Sequence, residues 1–111
     1  MNIDDYQKEA GKYQLFLYAG NLERAFGLFE EAGEVAGLFK RDLRGDYDDS
    51  ADQQRDEFVV KLRKELGDVL WYTSRIAADY GITMSEVCQC NLDKLEDRKQ
   101  RDQLRGSGDD R

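Results

Sequence analysis

Residues 22–41 read Leu22-Glu23-Arg24-Ala25-Phe26-Gly27-Leu28-Phe29-Glu30-Glu31-Ala32-Gly33-Glu34-Val35-Ala36-Gly37-Leu38-Phe39-Lys40-Arg41. Leu22, Phe26, Phe29, Ala32, Ala36 and Phe39 recur three and four apart, which predicts a helix with an apolar stripe. Lys40 and Arg41 close it with cations where the helix dipole favours them, and Asn21, after Gly20, reads as its N-cap. A second long helix is predicted from the low fifties to residue 80, with Phe58, Leu62, Glu65, Val69, Tyr72 and Ile76 on one face and Gly81 as its C′ residue. A helix over 4–18 precedes this pair. Thr83-Met84-Ser85-Glu86 spells a capping box opening a fourth helix to about residue 100. The expected fold is an all-α, four-helix bundle-like protomer.

The composition bounds the chemistry. The chain has 111 residues, a formal net charge of −7, no Pro and no His. Such a length suits one domain, here 1–105, followed by a Gly-rich tail, 106–111, without core residues. A net-acidic chain lacks the basic footprint of a nucleic-acid binder. Without His, Ser/His and Cys/His catalysis and histidine metal sites are excluded. The N-terminus lacks a basic flank followed by an apolar stretch, and no apolar run approaches the roughly 18 residues of a membrane helix. Cys88 and Cys90 project to different faces of a helix and read as idle thiols of a reducing cytoplasm. The segment 42–52 reads as a solvated acidic loop. An EF-hand register aligns there, but Ala51 stands where that loop needs glycine.

Glu31-Ala32-Gly33-Glu34-Val35 and Glu65-Leu66-Gly67-Asp68-Val69 repeat one pattern on two helices. Each places two carboxylates one turn apart on one face, and Glu30 adds a third acid to the first cluster. Glu65 falls in an apolar stripe between Leu62 and Val69, while Glu31 follows Leu28 and precedes Val35 and Leu38. Antiparallel packing would bring four carboxylates together, where either their pKa values rise or a cation sits among them. An all-oxygen site suits Mg²⁺ or Mn²⁺. Gly27 lies on the carboxylate face one turn before Glu31; Gly33 points away and is expected to admit another helix. On the fourth helix Asn91, Lys94, Arg98, Arg101 and Arg105 form a polar ladder of the charge that a polyphosphate requires. The alternative is a structural bundle with a solvated acidic face and i,i+4 pairs such as Lys61–Glu65, Lys64–Asp68 and Arg98–Asp102. The acid at a core position, duplicated on two helices, favours the metal site.

Glu30-Glu31-x-x-Glu34, a gap, Glu65-x-x-Asp68 and then Asn91-x-x-Lys94 resembles the MazG-like nucleoside triphosphate pyrophosphohydrolases of the all-α NTP pyrophosphatase superfamily. The resemblance implies a Mg²⁺-dependent enzyme, with Mn²⁺ as a substitute, that cleaves (d)NTP to (d)NMP and pyrophosphate by water attack at the α-phosphorus. It implies Glu31, Glu34, Glu65 and Asp68 as metal ligands, with Glu30 or Glu34 taking the proton from water. Lys40, Tyr72, Asn91, Lys94 and Arg98 would bind substrate; Arg41 is an alternative to Lys40. Tyr13, Phe16 and Phe26 are candidates for base selection, and the glycine-rich tail for phosphate contacts. Small members assemble as homodimers or homotetramers, which suits apolar residues on more than one face of the second helix. Two alternatives are a phosphoribosyl-ATP pyrophosphohydrolase and a non-catalytic helical interaction module.

Overall fold

The computed structural model describes residues 1–15, 20–47 and 52–111. In chain order these form α1 (Ile3–Ala10), one 3-10 turn (Gly11–Tyr13), α2 (Gly20–Leu43), α3 (Asp52–Asp79) and α4 (Met84–Gln100). Among the described residues there is no strand, and the fold is all-α.

The helix ends follow local chemistry. Asn2 caps α1 by accepting from the Asp5 N–H at 2.8 Å. At Gly81 (φ +69°) the chain leaves α3, with Ile82 N–H donating to the Ala77 carbonyl and Gly81 N–H to that of Ala78. This is the paired closure that glycine favours in the left-handed region. The capping box is present: Glu86 N–H donates to Thr83 Oγ1 at 3.1 Å, and Thr83 N–H to Glu86 Oε2 at 2.7 Å.

The α-helical part of the first segment stops sooner than its periodicity predicts. Side chains of α3 take its last carbonyls: Arg75 donates to the Gln7 carbonyl and Trp71 Nε1 to that of Ala10. Gly11 permits the approach, since a Cβ there would lie 3.3 Å from Arg75 Cζ. Residues 16–18 of the predicted helix lie outside the described residues. Asn21 is not the N-cap either. The helix begins at Gly20, and the Asn21 side chain accepts from Arg24 at 3.4 Å.

α2 and α3 lie antiparallel. Arg24, early in α2, pairs with Asp79 at the end of α3, while Phe39 meets Phe58 edge-on at 5.4 Å at the opposite end. Tyr47, in the segment read as a solvated loop, is buried against Phe58 and joins Leu38 and Leu62 in the core cluster. The rest of that loop, 48–51, lies outside the described residues. α1 ties the other elements together through Gln7, which donates to the Ser74 and Ile82 carbonyls and accepts from the Met84 N–H. Asp4 takes both the N–H and the hydroxyl of Ser85.

Of the two α2 stripes, the carboxylate face is the packed one, as the convergence of acids required, and the stripe through Leu22 and Phe29 is largely exposed. The buried or half-buried face is Arg24, Gly27, Glu31, Val35 and Leu38, whereas Leu22, Phe26 and Phe29 are 66%, 65% and 81% exposed. Both stripes have helical period, and periodicity alone does not say which meets α3. The radius of gyration is 17.2 Å, against about 13 Å for a compact chain of about 100 residues. The protomer is open. No helix among the described residues is long and apolar enough to cross a membrane.

Candidate functional site

The antiparallel pairing of α2 and α3 brings together Glu31, Glu65 and Asp68. One carboxylate oxygen from each lies within 4.8 Å of the others; Glu31 and Glu65 are half-buried and Asp68 is exposed. Burial raises the Glu31 pKa above its ordinary value, and the charges of Asp68, Glu65, Glu30 and Glu34 raise it further. The donor set fits a small hard cation. Octahedral Mg²⁺ at about 2.0–2.1 Å from its ligands needs oxygens roughly 3–4 Å apart, within a side-chain adjustment of the observed spacing. Exposed Asp68 leaves one side open to water or phosphate. Sequence reasoning expected four converging carboxylates. Three converge, while Glu34 is exposed and outside the trio.

A cavity of about 440 Å³ opens beside the acids, lined by Leu22, Glu23, Phe26, Gly27, Glu30 and Tyr72. The Tyr72 ring lies directly on Gly27, whose missing side chain makes room for it. Trp71 meets the same ring edge-on at 5.0 Å. Burial and the negative charges of Glu23, Glu31, Glu30 and Asp68 hold the Tyr72 hydroxyl protonated above its usual range. A neighbouring cavity joins Tyr13, Leu15, Glu23, Arg24, Trp71 and Tyr72, among others. Of the base-selection candidates, Phe26 and Tyr13 each line one of these cavities; Phe16 lies outside the described residues. Leu22 and Glu23 escaped the sequence reading as lining residues. The available signal was their position one turn before Phe26 and Gly27.

The cations are distributed differently. Lys40 is exposed near the end of α2, nine residues past Glu31, or about 13 Å along the axis at 1.5 Å per residue. Asn91 and Lys94 line a separate cavity of about 520 Å³ with Gly81, Ile82 and Val87, among others. Arg98, expected on a polar ladder, is only 5% exposed because the tail covers it. Of the expected i,i+4 partners, Lys61 donates to the Tyr47 hydroxyl and Arg98 to tail carbonyls. Among the described residues, nothing lies within 4 Å of where a Gly33 Cβ would stand, so no described helix uses the space.

The antiparallel pair α2 and α3 thus sets a carboxylate cluster next to an aromatic cleft in an all-α protein. The model of the MazG nucleotide pyrophosphohydrolase domain matches residues 21–101, and the chain belongs to this family. It is 36% identical to the Gene 37 protein of Mycobacterium phage L5 over the full length of both chains. It is also 32% identical to the uncharacterized protein YvdC of Bacillus subtilis (strain 168), over 87% of this chain and 92% of that one. No solved structure matches the chain significantly.

Proposed function

We propose that this protein is a Mg²⁺-dependent pyrophosphohydrolase that cleaves a (deoxy)nucleoside triphosphate to the monophosphate and pyrophosphate. The observation that carries the reading is the meeting of Glu31, Glu65 and Asp68 across α2 and α3, next to a cleft walled by Phe26 and Tyr72. Family membership supports it.

Glu31, Glu65 and Asp68 would hold Mg²⁺, with Mn²⁺ as a substitute, and Glu34, one turn from Glu31, would be the fourth ligand. A metal bound there would supply charge neutralisation of phosphate oxygens and a more acidic water. Glu30, on the wall of the cleft, accepts the proton of the water that attacks the α-phosphorus; Glu34 is the alternative base. The α-phosphorus bond to the bridging oxygen breaks and pyrophosphate leaves. Tyr72 and Phe26 hold the nucleoside by its flat faces. Lys94 and Arg98, with Asn91, take the phosphate chain, and Lys40 reaches it from the end of α2.

The open protomer supports a homodimer or homotetramer. Leu22, Phe26 and Phe29 lie exposed on α2, and oligomers bury such stripes against their symmetry mates. Magnesium titration monitored by melting temperature tests the site. A site that binds only the folded protein raises the transition with concentration, while a flat response with no turnover would favour a non-catalytic helical module.

A further inference from the structure

The last six residues do not hang free. They fold back along α4, and the contacts fall on the two cations assigned above to phosphate. Asp109 Oδ1 accepts from Lys94 Nζ at 3.1 Å and from Arg98 Nη2 at 3.4 Å. Arg98 Nη2 also donates to the carbonyls of Gly108, at 3.1 Å, and Asp109, at 2.9 Å. The turn is built to make this return: Gly106 and Gly108 sit at φ +115° and +89°, where a side chain would be strained. Arg111 closes it by donating to the Gly108 carbonyl at 2.6 Å and the Gln103 carbonyl at 3.2 Å, while Arg101 donates to the Arg111 carbonyl.

The clasp is incomplete in an informative way. Arg98 is buried, yet its Nε has no hydrogen-bond partner among the described residues. A guanidinium offers a fork of donors suited to two oxygens of one anion, and a single carboxylate oxygen of Asp109 leaves part of the fork unused. Asp109 itself keeps 83% of its side chain exposed. A polyphosphate would carry more charge and more oxygens to the same two side chains.

We propose that the C-terminal segment is an internal competitor for phosphate, Asp109 occupying Lys94 and Arg98 until a polyphosphate displaces it. The inference rests on the assignment of Lys94 and Arg98 to substrate phosphates. Lys94 and Arg98 hold the Asp109 carboxyl below its ordinary pKa, so the competitor remains charged at neutral pH.

The test is calorimetric titration of inorganic tripolyphosphate into full-length protein with EDTA present, so that the acid cluster takes no part. Asp109→Asn removes the competing charge. Asp110→Asn removes an equal charge at a neighbouring exposed position and controls for net charge. Because the Asp109 side of both pairs is solvent-exposed, they support a change of about two- to fivefold. The expected result is tripolyphosphate affinity raised by that factor in Asp109→Asn and raised less in Asp110→Asn. Equal gains in both variants, no gain in Asp109→Asn, or no binding to any of the three proteins would overturn the competitor. Triphosphate hydrolysis with Mg²⁺, measured in parallel, separates the two ideas. Turnover without an Asp109 effect leaves the enzyme and removes the competitor, whereas an Asp109 effect on tripolyphosphate without turnover does the reverse.

Discussion

Gly27 is where the fold and the site meet, and Gly27→Ala perturbs both by one methyl group. Alanine in a helix interior ordinarily gains up to about 1 kcal/mol over glycine. At Gly27 the new Cβ would stand 2.7 Å from Tyr72 Cδ1, with Cε1 and Cζ closer still. Carbon atoms prefer about 3.5–4.0 Å, so the ring must move by about 1 Å or more. Overpacking of this kind costs about 1–3 kcal/mol, and the net effect is a loss of about 1 kcal/mol. Gly67 on α3 is the control, being exposed with nothing among the described residues within 4 Å of its would-be Cβ. Gly67→Ala keeps the propensity gain. The two variants therefore differ by about 2 kcal/mol, or roughly 8 °C at about 4 °C per kcal/mol for a chain of this size. Thermal unfolding by far-UV circular dichroism at one protein concentration measures it. Trp71, the sole tryptophan and the edge-on neighbour of Tyr72, reports the ring movement by fluorescence. A Gly27→Ala protein as stable as Gly67→Ala, with unchanged Trp71 emission, would refute the close approach.

Other outcomes follow from the charges and the exposed stripe. Glu31 has a raised pKa in the fold, so its contribution is fully present below its unfolded value of about 4.3 and is lost as pH rises through the folded one. Metal-free Glu31→Gln should therefore melt higher than wild type at pH 7, with the gap closing below about pH 4; added Mg²⁺ should raise wild type and not the variant. A gap that persists in acid would contradict the like-charge cluster. Asp79→Ala leaves buried Arg24 without its carboxylate partner, a loss of about 3 kcal/mol readable by urea denaturation; a change under 1 kcal/mol would show the pair to be wet. Phe29→Asp alters a side chain 81% exposed in the protomer, so a monomer would keep its hydrodynamic size. An oligomer built on this stripe should dissociate on size-exclusion chromatography.

Features governed by neighbours in sequence were the most legible. The Thr83–Glu86 capping box and the Gly81 stop depend on a few adjacent residues, and both stand as read. The α3 stripe from Phe58 to Ile76 likewise faces inward, so Glu65 could be placed in the packed face. Legibility ended where two helical stripes competed. α2 carries one through Leu22 and Phe29 and another through Glu31 and Leu38; the second is the face buried against α3, while the first reaches α3 through Phe39 at one end. Long-range partners carried no spacing signal at all. Arg24 pairs with Asp79 across 55 residues, and Arg75 and Trp71 stop α1 from elsewhere in the chain. The return of the tail onto Lys94 and Arg98 was not legible, because it depends on backbone turns at Gly106 and Gly108 and on carbonyls, which side-chain patterning does not report. The acid site was legible in part: duplication identified the helices and the faces, but not that Glu34 would stand outside the trio.

Separation of the products formed from a panel of dNTPs and NTPs with Mg²⁺ tests the central claim most directly, with Glu31→Gln and Asp68→Asn as companions. The account predicts nucleoside monophosphate and pyrophosphate in equal amounts from wild type, and at least a hundredfold less from folded variants. Nucleoside diphosphate with orthophosphate, or undiminished turnover in Asp68→Asn at saturating metal, would contradict it.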